Sequence, residues 1–193
     1  ESPSASVAGD DQIVCGTTTT LTATAPAVGT GTWTVTSGAG GSFVNINSAT
    51  TVFNGIAGNV YELTWTITNG TCTPSTDVVQ ITLQQSPTTS NAGADDVVCG
   101  PTATLAANTP TVGTGTWTVT SGAGGSFADA SSPTTTFTGT PGVTYELQWR
   151  ITSGICAASD DQVKIKLEES PSASVAGDDQ IVCGTTTTLT ATA

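Results

Sequence analysis

The chain has 193 residues, a formal net charge of −12, no histidine, and only three basic side chains, Arg150, Lys164 and Lys166. So little positive charge disfavours a nucleic-acid or anionic-lipid surface, and the lack of histidine excludes Ser–His–Asp and Cys–His nucleophile activation. Charged residues make up 9% and threonine about a fifth of the chain; threonine is β-branched yet polar and suits the solvent face of a strand, so the composition reads as all-β.

Residues 1–25, ESPSASVAGDDQIVCGTTTTLTATA, return unchanged as residues 169–193, an offset of 168. Half that offset, 84, aligns the chain with itself without a gap, and 49 of the 84 positions are identical between 1–84 and 85–168. The predicted organisation is a β-sandwich repeat over 1–84, a second over 85–168, and the start of a third over 169–193. A long unchanged repeat beside a diverged short one implies that a two-repeat block was itself copied, and a longer tandem array is the expectation.

Within the first repeat, strands are predicted near 4–8, 17–25, 31–37, 50–54, 60–68 and 77–84, separated by Gly, Pro and Asn punctuation. In 60–68 the alternation puts Tyr61, Leu63, Trp65 and Ile67 on a core face and Glu62, Thr64, Thr66 and Thr68 in water. Val79, Ile81 and Leu83 point inward on the last strand. About seven short strands per repeat specify a two-sheet sandwich with immunoglobulin-like connections. Leu21, Trp33 and Leu63 fall where an immunoglobulin domain carries its strand-B cysteine, strand-C tryptophan and strand-F cysteine, and Tyr61 falls at the tyrosine corner. The predicted core is therefore Leu21, Trp33, Tyr61, Leu63 and Trp65, with Trp117, Tyr145, Leu147 and Trp149 in the second repeat.

The segments AGDDQIVCGTTTTLTATAP, GTWTVTSGAGGSF and YELTWTITNGTC, followed by a Val-Ile-Leu strand, resemble the PKD-like repeats of giant Bacteroidota surface adhesins, including the SprB-type adhesins of gliding motility. The resemblance covers both repeats and the terminal segment. It implies tandem sandwiches in a linear filamentous array, extracellular and at the cell surface, acting as the shaft of an adhesin that presents a distal adhesive region. Partners would be neighbouring repeats, possible lateral self-association, and a surface or glycan ligand at a tip outside this segment. The WDFGDG-like segment of better-known PKD domains is missing after Trp33 and Trp117, so ligand properties tied to it do not carry over. The rival reading is a polysaccharide-binding accessory module of a secreted protein, which exposed tryptophans would favour.

Cys15 and Cys72 are 57 residues apart, as are Cys99 and Cys156, with Cys183 beginning a third pair. Without histidine to complete a zinc site, paired cysteines suit an oxidising exterior. Spacing alone allows Cys15–Cys72 and Cys99–Cys156 within repeats. The strand placement favours another connectivity: Cys15 precedes strand B and Cys72 follows strand F, so parallel B and F strands hold the two at opposite ends, about 30 Å apart, beyond a disulfide's reach of about 4.4–6.8 Å between Cα atoms. Head-to-tail stacking instead favours Cys15–Cys156, with Cys99 and Cys183 pairing to following repeats and Cys72 to a preceding one.

Little else carries chemistry. Glu62 and Glu146 are single carboxylates a repeat apart, the glycine runs at 38–41 and 122–125 lack the Lys-Ser/Thr of a phosphate loop, and no enzymatic activity or cofactor is expected. Asp10, Asp11, Asp95 and Asp96, with Asp178-Asp179, sit near predicted repeat junctions, and Asp160-Asp161 is placed in a loop approaching one. They are weak calcium candidates without recognisable ligand spacing. Arg150, Lys164 and Lys166 are read as edge-protecting charge, or as a lateral contact to an acidic surface. No apolar run is long enough to cross a membrane.

Overall fold

The computed structural model describes residues 1–192. Among these there are fourteen strands and no helix, as the threonine-rich alternation requires. Repeat one contains β1 (Gln12–Cys15), β2 (Thr18–Thr22), β3 (Thr30–Ser37), β4 (Ser42–Phe43), β5 (Thr50–Asn54), β6 (Val60–Thr68) and β7 (Ser75–Gln84). Repeat two contains β8 (Asp96–Cys99), β9 (Thr102–Thr104), β10 (Thr114–Ser121), β11 (Ser126–Phe127), β12 (Thr136–Thr138), β13 (Thr144–Thr152) and β14 (Ser159–Glu168). Each repeat has a four-stranded and a three-stranded sheet: β1-β7-β6-β3 with β2-β5-β4, and β8-β14-β13-β10 with β9-β12-β11. The first strand of each repeat runs parallel to the last, with Cys15 opposite Gln84 and Cys99 opposite Glu168. All other pairings are antiparallel. This is the tandem immunoglobulin-like sandwich.

Aromatic residues join the two sheets. Trp33 and Trp65 lie directly opposite across β3 and β6, with ring centroids 5.1 Å apart, and the contact passes through Phe43 and Phe53 to Tyr61. Repeat two reproduces the series with Trp117, Trp149, Phe127, Phe137 and Tyr145. Leu21, Leu63, Leu147 and all four tryptophans are buried. Gly31 is required beside them, because a Cβ there would lie 2.0 Å from Cζ2 of Trp65. At the tyrosine corner, the Tyr61 hydroxyl accepts from the Ile56 amide (2.8 Å) and donates to the Ala39 carbonyl (3.0 Å). Tyr145 does the same with Thr140 and Ala123. One side chain thus anchors two loops of its sandwich.

Three details differ from the sequence reading. Residues 4–8 form no regular strand, while β1 and the short β4 were not expected. The Thr24 amide donates to the Val7 carbonyl, but the Ser6 and Ala8 amides donate to the side chains of Ser75 and Asp77. The segment is crossing from β2's sheet to β7's, and side-chain acceptors replace the ladder during the crossing. Lastly, Thr64 is buried rather than solvated, because β6 is a central strand and Thr36, at the β3 bulge, covers it through a 3.2 Å hydroxyl contact. Residues 169–192 add no strand; their only ladder contact is the Val175–Thr192 bridge, and their side chains are exposed.

The inter-repeat junction as candidate functional site

The junction forms where the exit end of one sandwich meets the β13–β14 turn of the next. The parallel β1–β7 pairing carries Cys15 to the end of β7, beside Gln84, where its sulfur lies 3.6 Å from the Ser86 hydroxyl. From repeat two, Ser153-Gly154-Ile155-Cys156 reaches back across the linker. The Ile155 amide donates to Oε1 of Gln84 (2.7 Å), and the Ser153 hydroxyl donates to the Gln85 carbonyl (2.9 Å). Cys15 and Cys156 are joined by a disulfide with Cα atoms 5.2 Å apart. Gly154, at φ +50°, lies so close to the Gln84 side chain that a Cβ would stand 2.0 Å from its Oε1. Two covalent links, the linker and the disulfide, therefore close one junction.

The remaining cysteines occupy equivalent places. Cys99 ends β8 beside Ser170, with 3.8 Å between sulfur and hydroxyl, as Cys15 lies beside Ser86. Cys72 follows β6, and its thiol donates to the Glu1 carbonyl (3.3 Å), which also accepts from the Asn69 side-chain Nδ2 (2.8 Å). Cys72, Cys99 and Cys183 are free thiols here. Cys15 and Cys72 sit at opposite ends of repeat one, because antiparallel β6 and β7 pair Val60 with Thr82 at one end and Ile67 with Ser75 at the other.

The acidic candidates are not brought together, and no group of three or more potential metal ligands occurs among the described residues. Asp11 and Asp95 are equivalent under the 84-residue offset. Each accepts a backbone amide from the middle of the last strand, Gln80 (2.8 Å) and Lys164 (2.8 Å) respectively, and so holds the crossing segment to the sheet away from the junction. Asp96 accepts from the Val97 amide, and Asp10 is exposed. Asp160 and Asp161 lie within β14 rather than in a loop. Asp161 accepts from the Ala92 amide (2.7 Å).

The three cations are also placed differently from the edge-protecting reading. They lie on β13 and β14, the central strands of their sheet, and each meets a carboxylate of its own repeat. The pairs are Arg150–Asp160 (3.2 Å), Lys164–Glu146 (3.5 Å) and Lys166–Glu168 (2.9 Å). Exposed pairs of this kind contribute little to stability. The sequence puts Gln84 in the Gln-Gln-Ser-Pro linker and Gly154 in the turn before Cys156; what it does not reveal is that the two pack against each other.

Comparison with solved structures agrees with the fold. The chain matches immunoglobulin domains 1–5 of Sidekick-1 at 13% identity and a TM-score of 0.56, over 92% of this chain and 41% of that one. It matches the insect immune protein hemolin at 14% identity and a TM-score of 0.49, over 87% of this chain and 47% of that one. A PKD domain solved in solution matches at 22% identity and a TM-score of 0.37, over 42% of this chain and 85% of its own length. The chain thus spans less than half the length of Sidekick-1 domains 1–5 and of hemolin. At such identities the likeness concerns the fold alone. No protein-family model matches the chain, and no curated protein sequence is significantly similar to it.

Proposed function

We propose that the chain is a segment of an extracellular, non-catalytic shaft, in which tandem sandwiches hold a distal adhesive region away from the cell surface. The observation that carries this reading is the doubly linked junction, which restricts the angle between neighbouring repeats through both a short Gln-Gln-Ser-Pro linker and the Cys15–Cys156 bond. Proline fixes one dihedral of that linker. A disulfide between domains also suits an oxidising compartment. Cys99 beside Ser170, and Cys72 beside Glu1, repeat the two halves of the junction. The same staple in neighbouring repeats would continue the array in both directions.

The polysaccharide-binding alternative needs exposed aromatic platforms, and Trp33, Trp65, Trp117 and Trp149 are all 2% exposed or less. Their emission should be blue-shifted and insensitive to iodide and to added polysaccharide. The deciding experiment is imaging of the native object. A sandwich of roughly ten-residue strands plus loops is about 40 Å long, so a thin fibre with an axial period of about 80 Å is expected from the two-repeat block. A globular particle would overturn the shaft reading.

A further inference from the structure

The disulfide joins points that divide the chain unusually with respect to tension. In repeat one, Glu1 lies at the entry end, held by Asn69 and Cys72, while Cys15 lies at the exit end beside Gln84. Residues 1–15 therefore cross the sandwich lengthwise. In repeat two, Cys156 lies at the entry end with its sulfur 3.8 Å from the Gln84 carbonyl oxygen, and β14 runs from there to Glu168 at the exit end, opposite Cys99. The shortest covalent route through both sandwiches is thus residues 1–15, the Cys15–Cys156 bond, and β14. Everything between the bonded cysteines, whose sequence separation is 141, lies in a closed loop beside that route. The loop includes β2 through β13, with all four tryptophans and both tyrosines.

We propose that the Cys15–Cys156 bond is a load shunt, which passes tension along the first segment of one sandwich and the last strand of the next and keeps β2 through β13, with most of both cores, out of the covalent force path. The two load-bearing segments have little slack. Fifteen residues reach about 50 Å when fully extended, and they already span a sandwich whose ten-residue β7 alone covers about 30 Å. Each repeat can lengthen by only about 20 Å before its backbone is taut. Without the bond, tension must pass through β2–β13, and the loop adds on the order of 500 Å. The use of such a device by a cell rests on the shaft reading; the device itself is a property of the connectivity.

The test is force–extension of the full chain held by its two ends, with the bond verified by non-reducing peptide mapping of the same sample. The oxidised chain is expected to become taut at roughly 190 Å, and the reduced chain, or Cys156→Ser, at about 680 Å, with the difference released as unfolding steps. An oxidised chain that extends to about 480 Å, the length left by a Cys15–Cys72 bond, overturns the proposal. So does an oxidised chain that reaches the reduced length. Failure of the shunt is separable from failure of the shaft: a globular particle with a taut length of 190 Å sinks only the shaft, whereas a straight fibre whose cores open while oxidised sinks only the shunt.

Discussion

In repeat one both buried indole N–H groups donate, Trp33 to the Ser48 carbonyl (3.1 Å) and Trp65 to the Thr24 carbonyl (3.2 Å). In repeat two the equivalent Trp117 and Trp149 nitrogens are buried without a partner. The residue after Ser132 is Pro133 where repeat one has Ala49, and proline restricts the backbone of the residue before it. Asn108 replaces Thr24, and its side chain is engaged with Asn91 and Thr89. A second difference lies under the crossing segment. Gln12 bridges to β2 through the Thr20 carbonyl (3.3 Å) and the Thr19 hydroxyl (2.5 Å). In repeat two Asp96 and Ala103 stand in those places, and a cleft of about 270 Å³ opens between Ala92, Asp95, Leu105 and Ile165. The two sandwiches share their backbone and aromatic core but not their polar closure. Divergence has been tolerated where a side chain only satisfies a hydrogen bond, and not where it fills the interior.

The largest expected effect tests that contrast. Trp65→Ala should destabilise repeat one by about 3–5 kcal/mol, the usual cost of emptying a large aromatic site. Trp149→Ala should cost about 1–3 kcal/mol less, because it also removes an unsatisfied buried donor. Hydrogen exchange, read separately over the strands of each repeat in the intact chain, measures both. Equal losses would mean that the Trp149 nitrogen has a partner, for instance a bound water, and the contrast between repeats would fall.

How legible this was from the sequence depends on the kind of residue. The core on β3 and β6 could be read from alternation alone, since burying every second side chain is a local pattern with few alternatives. The Cys15–Cys156 link was legible one step further on, from the incompatibility of a Cys15–Cys72 bond with strands of this length. What was not legible was the crossing of residues 4–11 between sheets, which depends on Ser75 and Asp77, 69 residues along the chain from the amides they bind, acting as acceptors. Nor could the placement of Arg150, Lys164 and Lys166 on central strands be read without knowing the order of strands in the sheet. Their short-range pattern is the same on an edge strand.

A smaller effect separates the two turns before Cys72 and Cys156. Gly70 and Gly154 both have positive φ, so an alanine at either costs about 1–2 kcal/mol in backbone strain. At Gly70 a Cβ would meet nothing within 4 Å, whereas at Gly154 it would collide with Gln84. Gly154→Ala should therefore cost about 1 kcal/mol more, because the Gln84 side chain must swing aside and give up its bond from the Ile155 amide, and should loosen the angle between repeats in small-angle scattering. If both substitutions leave the inter-repeat angle unchanged, the turn is not packed at the junction. Tyr61→Phe and Tyr145→Phe set the control. The hydrogen bonds lost are equivalent in the two repeats, so the losses should match at about 1 kcal/mol for each bond.

The smallest effect concerns a turn that the repeats build with different chemistry. Asn45 closes it in repeat one, its Oδ1 accepting from the Asn47 amide (2.9 Å). Asp129 closes it in repeat two, its Oδ1 accepting from the Ser131 hydroxyl (2.6 Å) and the Ser131 amide (2.8 Å). The hydroxyl first, and then the amide, favour the ionised carboxylate and hold the Asp129 carboxyl below its ordinary value. A folded-state pKa lowered in this way contributes stability that is present above the unfolded-state value near 3.9 and is lost as pH falls through the lower folded-state value. The Asn45 turn carries no ionisable group and should be indifferent over the same range. Because the Asp129 carboxylate is fully exposed, the contribution is small and is best read directly, as the titration midpoint of its carboxyl carbon by NMR. That midpoint should lie below those of exposed aspartates without such donors and rise toward them in Ser131→Ala, while Asp129→Asn should make the repeat-two turn as insensitive to acid as that of repeat one. A midpoint unmoved by Ser131→Ala would show that the hydroxyl is not bonded to the carboxylate in solution, and that the two turns differ in charge but not in how they are held.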